Sequence, residues 1–222
     1  MKPEDTKAKI LDATDQLFGE LGFDATSTRD IAERSGINKA LIHYHFGTKD
    51  DLLEVLLDGY YERLTSELVA ALGRHTEPEA QAMELLDAYA DFLAKNRTFC
   101  TIVQREVASG AHVDAIVRRT LPVFRLGTTW LAQLAPESRG ELVHLLTSVY
   151  GMVVTYFTYG RVLHRLDGVD PFSPAALEER KRHVRRVVAL LFRDLRASAK
   201  PKKKGTSWPP STPRTPRRKT AS

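Results

Sequence analysis

Seven residues from Lys39 to His45 concentrate the chain's chemistry. They carry an ammonium group at Lys39, a methyl at Ala40, aliphatic surface at Leu41, imidazoles at His43 and His45, and a phenol at Tyr44. Donors, acceptors and methyl-contacting groups of these kinds read base edges in a DNA major groove. Each also has a plainer use. A lysine on a short polar helix face is solvated by default. Leu41 either meets a thymine methyl or packs locally, and Tyr44 either reaches DNA or lies on the following helix. His43 and His45 look like a metal pair, but their i, i+2 spacing sets them about 200° apart around a helix, so no metal site is expected. The single cysteine, Cys100, excludes an internal disulfide and a cysteine zinc cluster. Nothing beside it in sequence would activate a thiolate. No G-x-G-x-x-G, P-loop, H-E-x-x-H or nucleophile elbow is present, so the chain reads as neither an enzyme nor a cofactor binder.

The elements that must position these groups are helical, since 3.6-residue periodicity dominates and alternating strand patterns are nearly absent. Ile10, Ala13, Leu17 and Leu21 mark one face of a first helix, ended with the help of Gly19 and Gly22. Ser27 with Asp30 is a capping box for a short second helix that turns Ile31 and Ala32 inward and stops at Ser35-Gly36. Asn38 caps a third helix that Gly47 closes, with Phe46 in the core. Thr48 with Asp51 caps a long fourth helix carrying Leu52, Leu53, Leu56, Leu57, Tyr60, Leu64 and Leu68. Two short helices joined through Ser35-Gly36-Ile37 form a helix-turn-helix pattern, with Gly36 supplying the positive φ of a sharp turn. Packing by Ile31, Ala32, Ile37 and Ile42 leaves Lys39, Ala40, Leu41, His43, Tyr44 and His45 to face outward.

The segment Thr28-Arg29-Asp30-Ile31-Ala32-Glu33-Arg34-Ser35-Gly36-Ile37-Asn38-Lys39, followed by Phe46-Gly47-Thr48-Lys49-Asp50-Asp51-Leu52, resembles the DNA-binding domain of the tetracycline-repressor (TetR) family over roughly residues 8–55. The resemblance implies a homodimeric regulator that binds a palindromic DNA operator. Its C-terminal helical domain would dimerise and accept a small-molecule inducer. Carried over by position, it gives Thr28 and Lys49 as phosphate contacts and Lys39 to His45 as the recognition helix. Hydroxyls, ammonium groups and helix starts are usual phosphate partners. Many members have tyrosine where this chain has His43, so the register of the aromatic contact stays open between His43 and Tyr44.

Beyond a break at Gly73–Pro78, helices are expected from Pro78 to about Lys95 and from Thr98 to Ser109. Pro122 predicts a kink or break between Thr120 and Val123. A long helix is expected from Glu137 to about Arg165, and a last one after Ser173-Pro174. Phe92, Phe99, Gln104, Arg105, Phe124, Trp130 and Tyr156 are candidates to line a ligand pocket, although bundle core or interface is the plainer use of each. The apolar stripe from Leu142 to Phe157 is too wide for one internal face, and small residues interrupt it. In the family the last two helices form an intersubunit bundle. Ser148, Gly151, Met152, Thr155, Val184, Val187, Val188 and Leu191 are therefore the candidate dimer interface.

Composition agrees with a soluble all-α chain of about nine helices. Of 222 residues, 42% are hydrophobic and 27% charged, and no apolar run reaches the length of a membrane span. Without an apolar leader segment, a cytoplasmic protein that does not engage membranes is expected. The formal charge of +5 is uneven: all eight ionic residues after residue 199 are basic, so the remainder is near −3. The expected division is a helix-turn-helix domain at 1–48, a connecting helix at 49–73, a ligand-binding and dimerisation domain at 74–199, and a disordered basic tail at 200–222. The function expected is a ligand-released repressor. An activator of the same fold, or an interaction protein that has lost operator binding, are the alternatives.

Overall fold

The computed structural model describes residues 3–134 and 139–198, and every regular element among them is helical. The helices are α1 (Pro3–Glu20), α2 (Thr28–Ser35), α3 (Lys39–Phe46), α4 (Lys49–Leu72), α5 (Pro78–Lys95), α6 (Arg97–Ser109), α7 (Val113–Leu134), α8 (Arg139–Thr158), α9 (Gly160–Asp167) and α10 (Pro174–Ser198). No single one of them is long and apolar enough to cross a membrane.

The first three helices close around Ile10, Leu17, Phe18, Ile31 and Ile42, with Leu52 and Leu53 of α4 completing the cluster. Ile31 and Ile42 are wholly buried, each worth about 1.5–3 kcal/mol over an exposed position. Leu21 is exposed instead of continuing the α1 stripe. The helix ends one residue earlier, at Glu20, so Leu21 falls on the exit turn and Phe18 takes the inward place.

Helix α4 runs from this unit into a bundle made with α5 to α10. There Leu64 and Leu68 meet a core that includes Leu86, Leu93, Ile102, Val103, Leu131, Val154 and Phe192.

Two expectations about helix ends are corrected. Of the kink or break expected at Pro122, the break is absent: helix α7 is continuous from Val113 to Leu134 with Pro122 inside it. Proline removes one main-chain donor, but contacts on both sides hold the helix. On the N-terminal side, Ile116 is buried and the Thr120 hydroxyl is hydrogen-bonded to the Tyr61 phenol at 2.8 Å; beyond the proline, Leu131 is buried. Conversely, the helix expected to continue to Arg165 is divided between Thr158 and Gly160, with a bend of 68°, which makes ten helices among the described residues where about nine were expected. Phe172 causes the close approach here. It stacks on Phe157 at 5.9 Å, and a Cβ added to Gly160 would lie 2.2 Å from its ring.

Candidate nucleic-acid interface and ligand cavity

Capping fixes the reading head. Ser27 Oγ accepts from Asp30 N at 3.2 Å, and the Asp30 carboxylate accepts from Ser27 N at 2.7 Å. Thr48 and Asp51 repeat the arrangement at the start of α4, at 3.1 and 2.8 Å. The hydroxyl and main-chain donors of Ser27 and Thr48 hold both carboxyls below the usual aspartate range. Between the caps, Gly36 adopts a left-handed conformation (φ 68°) that lets Ile37 N reach back to Ala32 O at 3.2 Å. Arg34 ties α2 to α1 through a two-pronged contact with Glu20 at 3.1 and 3.3 Å. These restraints hold α3 by its ends and by one buried side chain, Ile42.

The rest of α3 is open. Lys39, Ala40, Leu41 and His43 are exposed, and His45 is half-buried. Tyr44 is 81% exposed, so it does not pack on α4, and its ring meets only the edge of His45 at 5.1 Å. His43 Nδ1 donates to Gly47 O at 2.8 Å, which leaves Nε2 as its free ring nitrogen. Phe46 packs against the core while half-buried.

Thr28 opens α2 and is half-buried. Lys49 opens α4, but its ammonium is committed locally. It donates to Phe23 O at 2.8 Å and Thr26 O at 2.9 Å, and lies 4.1 Å from the centre of the Phe23 ring. What Lys49 leaves available is its place in the first turn of α4, where main-chain N–H groups are unsatisfied.

Within the bundle a cavity of about 400 Å³ lies between α4, α5, α6, α7, α8 and α10. Of the candidate pocket residues it gathers Phe99, Gln104, Phe124 and Trp130. Phe92, Arg105 and Tyr156 are placed elsewhere. Phe92 is fully buried against Phe99, edge to face at 5.7 Å. The Tyr156 hydroxyl donates to Pro171 O at 2.7 Å. Arg105 reaches the end of α1, where it donates to Phe18 O, Gly19 O and Glu20 O at 3.0–3.5 Å. That helix has no cation in its own last turn, and Arg105 supplies one from α6.

Sequence reasoning missed Tyr61, Tyr89 and Thr120 in the cavity wall. Their helical positions on α4, α5 and α7 were readable, but a shared cavity depends on long-range packing that periodicity does not report. Cys100 also lines it, with burial pushing the thiol up to about 12. It is therefore a neutral wall group and not a reactive thiolate.

The candidate dimer residues divide as well. Ser148 and Thr155 are exposed, and Gly151 has open space where a side chain would stand. Met152, Val187 and Leu191 are half-buried. Val184 and Val188 are 4% and 3% exposed within the single chain, so their surface is already used by the bundle. The basic tail expected at 200–222 lies outside the described residues. Among the described residues, no three His, Cys, Asp or Glu side chains converge as a metal site would require.

A capped helix-turn-helix with a bare second helix, joined by one long helix to a hollow helical bundle, is the architecture of a helix-turn-helix regulator. Comparison with known proteins narrows the class. Residues 10–56 match the model of the family described as bacterial regulatory proteins, tetR family. An HTH-type transcriptional repressor of Mycobacterium tuberculosis is 43% identical over 93 residues, 41% of this chain and 46% of that protein. The chain thus spans less than half the length of that relative. The Bacillus subtilis protein named "Probable HTH-type transcriptional regulator YttP" is 30% identical over 146 residues, 64% of this chain and 68% of its own length. Among solved structures, the ketosteroid transcriptional regulator KstR2 of Mycobacterium tuberculosis shares the fold with a TM-score of 0.64. Its identity is 17%, over 85% of this chain and 93% of that one. The chain belongs to the tetR family of bacterial regulatory proteins. The relatives and the solved structure are named as regulators and none as an enzyme.

Proposed function

We propose that this chain is a DNA-binding transcriptional repressor that acts as a homodimer on a palindromic operator and is released by a small ligand. One observation carries the reading. Helix α3 is anchored by caps and a single buried side chain, while Lys39, Leu41, His43 and Tyr44 stand in the open on a rigid element. An aromatic ring left 81% exposed there has a use if it meets DNA. Lys39 to His45 would enter the major groove, and Thr28 with the first turns of α2 and α4 would meet phosphates. On this reading the unit before Lys49 reads DNA, α4 connects, and the bundle beyond residue 73 receives the ligand and the second subunit.

Three connections support release by a ligand. On α6, Gln104 lines the cavity while the adjacent Arg105 grips the end of α1. On α4, Tyr61 lines the cavity in a helix that begins at the reading head. At the neighbouring position on α7, Arg119 pairs with Glu54 and Asp58 of α4. A ligand that binds better to a conformation with displaced α4 or α6 would lower operator affinity by that difference alone.

Selection from a random duplex library with the purified chain tests the reading. Enrichment of an inverted repeat, with half-sites about one helical turn apart, is expected. Retention of duplex without any sequence preference would overturn it.

A further inference from the structure

The cavity wall says what kind of molecule it would take; this rests on the ligand-released reading above and goes further by naming a chemical class. Among the described residues, no Asp, Glu, Lys, Arg or His lines it. A charged ligand would leave water and find no opposite charge, which is strongly unfavourable.

The polar groups in the wall are few, and most are engaged. The Tyr61 and Thr120 hydroxyls are bonded to each other at 2.8 Å, and Gln104 Nε2 donates to the Tyr150 hydroxyl at 3.2 Å. Trp130 Nε1 donates to Gln81 Oε1 at 2.9 Å. The Tyr89 hydroxyl differs: among the described residues it has no hydrogen-bond partner. Tyr89 is half-buried on α5 and faces the same cavity as Tyr61, Cys100 and Tyr150, and burial holds its hydroxyl well above the ordinary tyrosine range. The Tyr89 hydroxyl is open to the cavity without a protein partner among the described residues, so it is the wall group free to pair with a ligand oxygen. Gln104 and Tyr150 are on the exposed side of the same cavity, where a ligand would enter.

We infer that the cavity binds an uncharged lipophile carrying a hydroxyl or carbonyl oxygen, which pairs with the Tyr89 hydroxyl while apolar walls from α4, α6, α7 and α8 cover the remainder. The volume lies within the range of about 300–1,000 Å³ that holds small organic ligands. A carboxylate would find no counter-charge among the described wall residues.

Calorimetric titration of the full chain at pH 7.5, without DNA, tests this with three probes: decan-1-ol, decanoate and butylbenzene. Saturable binding of decan-1-ol is expected, with decanoate at least about tenfold weaker because its charge would be buried unpaired. Tyr89→Phe should weaken decan-1-ol by about two- to tenfold, the worth of one neutral hydrogen bond, and leave butylbenzene within about twofold. Decanoate binding as well as decan-1-ol, no binding of decan-1-ol, or an unchanged decan-1-ol affinity in Tyr89→Phe would each overturn the assignment. Operator release is not measured in this titration, so its outcome stands apart from that of the DNA selection.

Discussion

At the residue scale, Lys39 and Tyr44 are the positions where a side chain has the least structural employment and the most proposed function. Lys39 is exposed at the start of α3, and Tyr44 is 81% exposed with its ring against the edge of His45. Truncating either should leave folding intact, because neither belongs to the core. Lys39→Ala and Tyr44→Ala are each expected to weaken binding to a selected operator by about 1–3 kcal/mol in fluorescence anisotropy, with unchanged melting temperature. Equal affinity in both variants would remove α3 from the groove. Lys39 was readable in the sequence as an outward lysine. Tyr44 stayed open between DNA and α4, because an aromatic ring near a helix end suits either until the packing shows it exposed. Lys49 was not readable in the same way. Its ammonium bonds to carbonyls 26 and 23 residues away, and spacing along one helix carries no record of such partners. Arg105 is a similar case, a pocket candidate by its neighbours in sequence and a cap on α1 by its contacts in space.

At the element scale, the caps are the part of the fold that sequence conveys best. Ser27 with Asp30, Asn38, and Thr48 with Asp51 each act within one turn, and the structure shows all three as expected. Junctions between elements depend on distant partners, and they include a titratable one. His112, just before α7, donates from Nδ1 to the buried Glu106 of α6 at 2.6 Å. Its Nε2 lies 3.3 Å from Asp50 of α4, and its ring meets Phe23 edge to face at 4.5 Å. The Lys49 ammonium is on the same Phe23 ring. Burial alone would lower the imidazolium, but hydrogen bonds to Glu106 and Asp50 outweigh it and hold His112 above the usual histidine range. A group raised in the folded state stabilises it fully below its unfolded value, about 6.5, and that contribution fades as pH rises through the raised value. Removing His112 should therefore cost more stability in acid than in base. Thermal melts of wild type and His112→Phe at pH 5.5 and 8.5 are expected to show the larger gap at pH 5.5. A gap of the same size at both would mean that the imidazolium contributes nothing to this junction.

At the scale of the whole molecule, what remains to be satisfied is apolar surface that one chain leaves uncovered. Val143 of α8 and Leu190 of α10 are 45% and 55% exposed, while Ser148, Gly151 and Thr155 form a narrow strip of small residues on α8. The width of the α8 stripe was visible in the sequence. The division of α10 was not, because Val184 and Val188 look equivalent to Leu190 until the bundle shows which of them it buries. Of the eight candidate interface residues, Val184 and Val188 are thereby set aside, and the candidate interface moves to the α8 strip and the Leu190 edge of α10. On the proposed operator-binding reading, a two-fold axis there would relate two copies of α3, with half-sites expected about 34–36 Å apart. Gly151 is the sharpest probe because a side chain there meets nothing within 4 Å in the single chain. Gly151→Arg should fold as a monomer, yet at a two-fold contact it would bring two guanidinium groups into apolar surface, at a cost of several kcal/mol per dimer. Sedimentation at micromolar concentration is expected to give a dimer for wild type and mostly monomer for Gly151→Arg, with unchanged helical content. A variant that sediments as a full dimer would put the interface on another face, and with it the spacing of the two recognition helices.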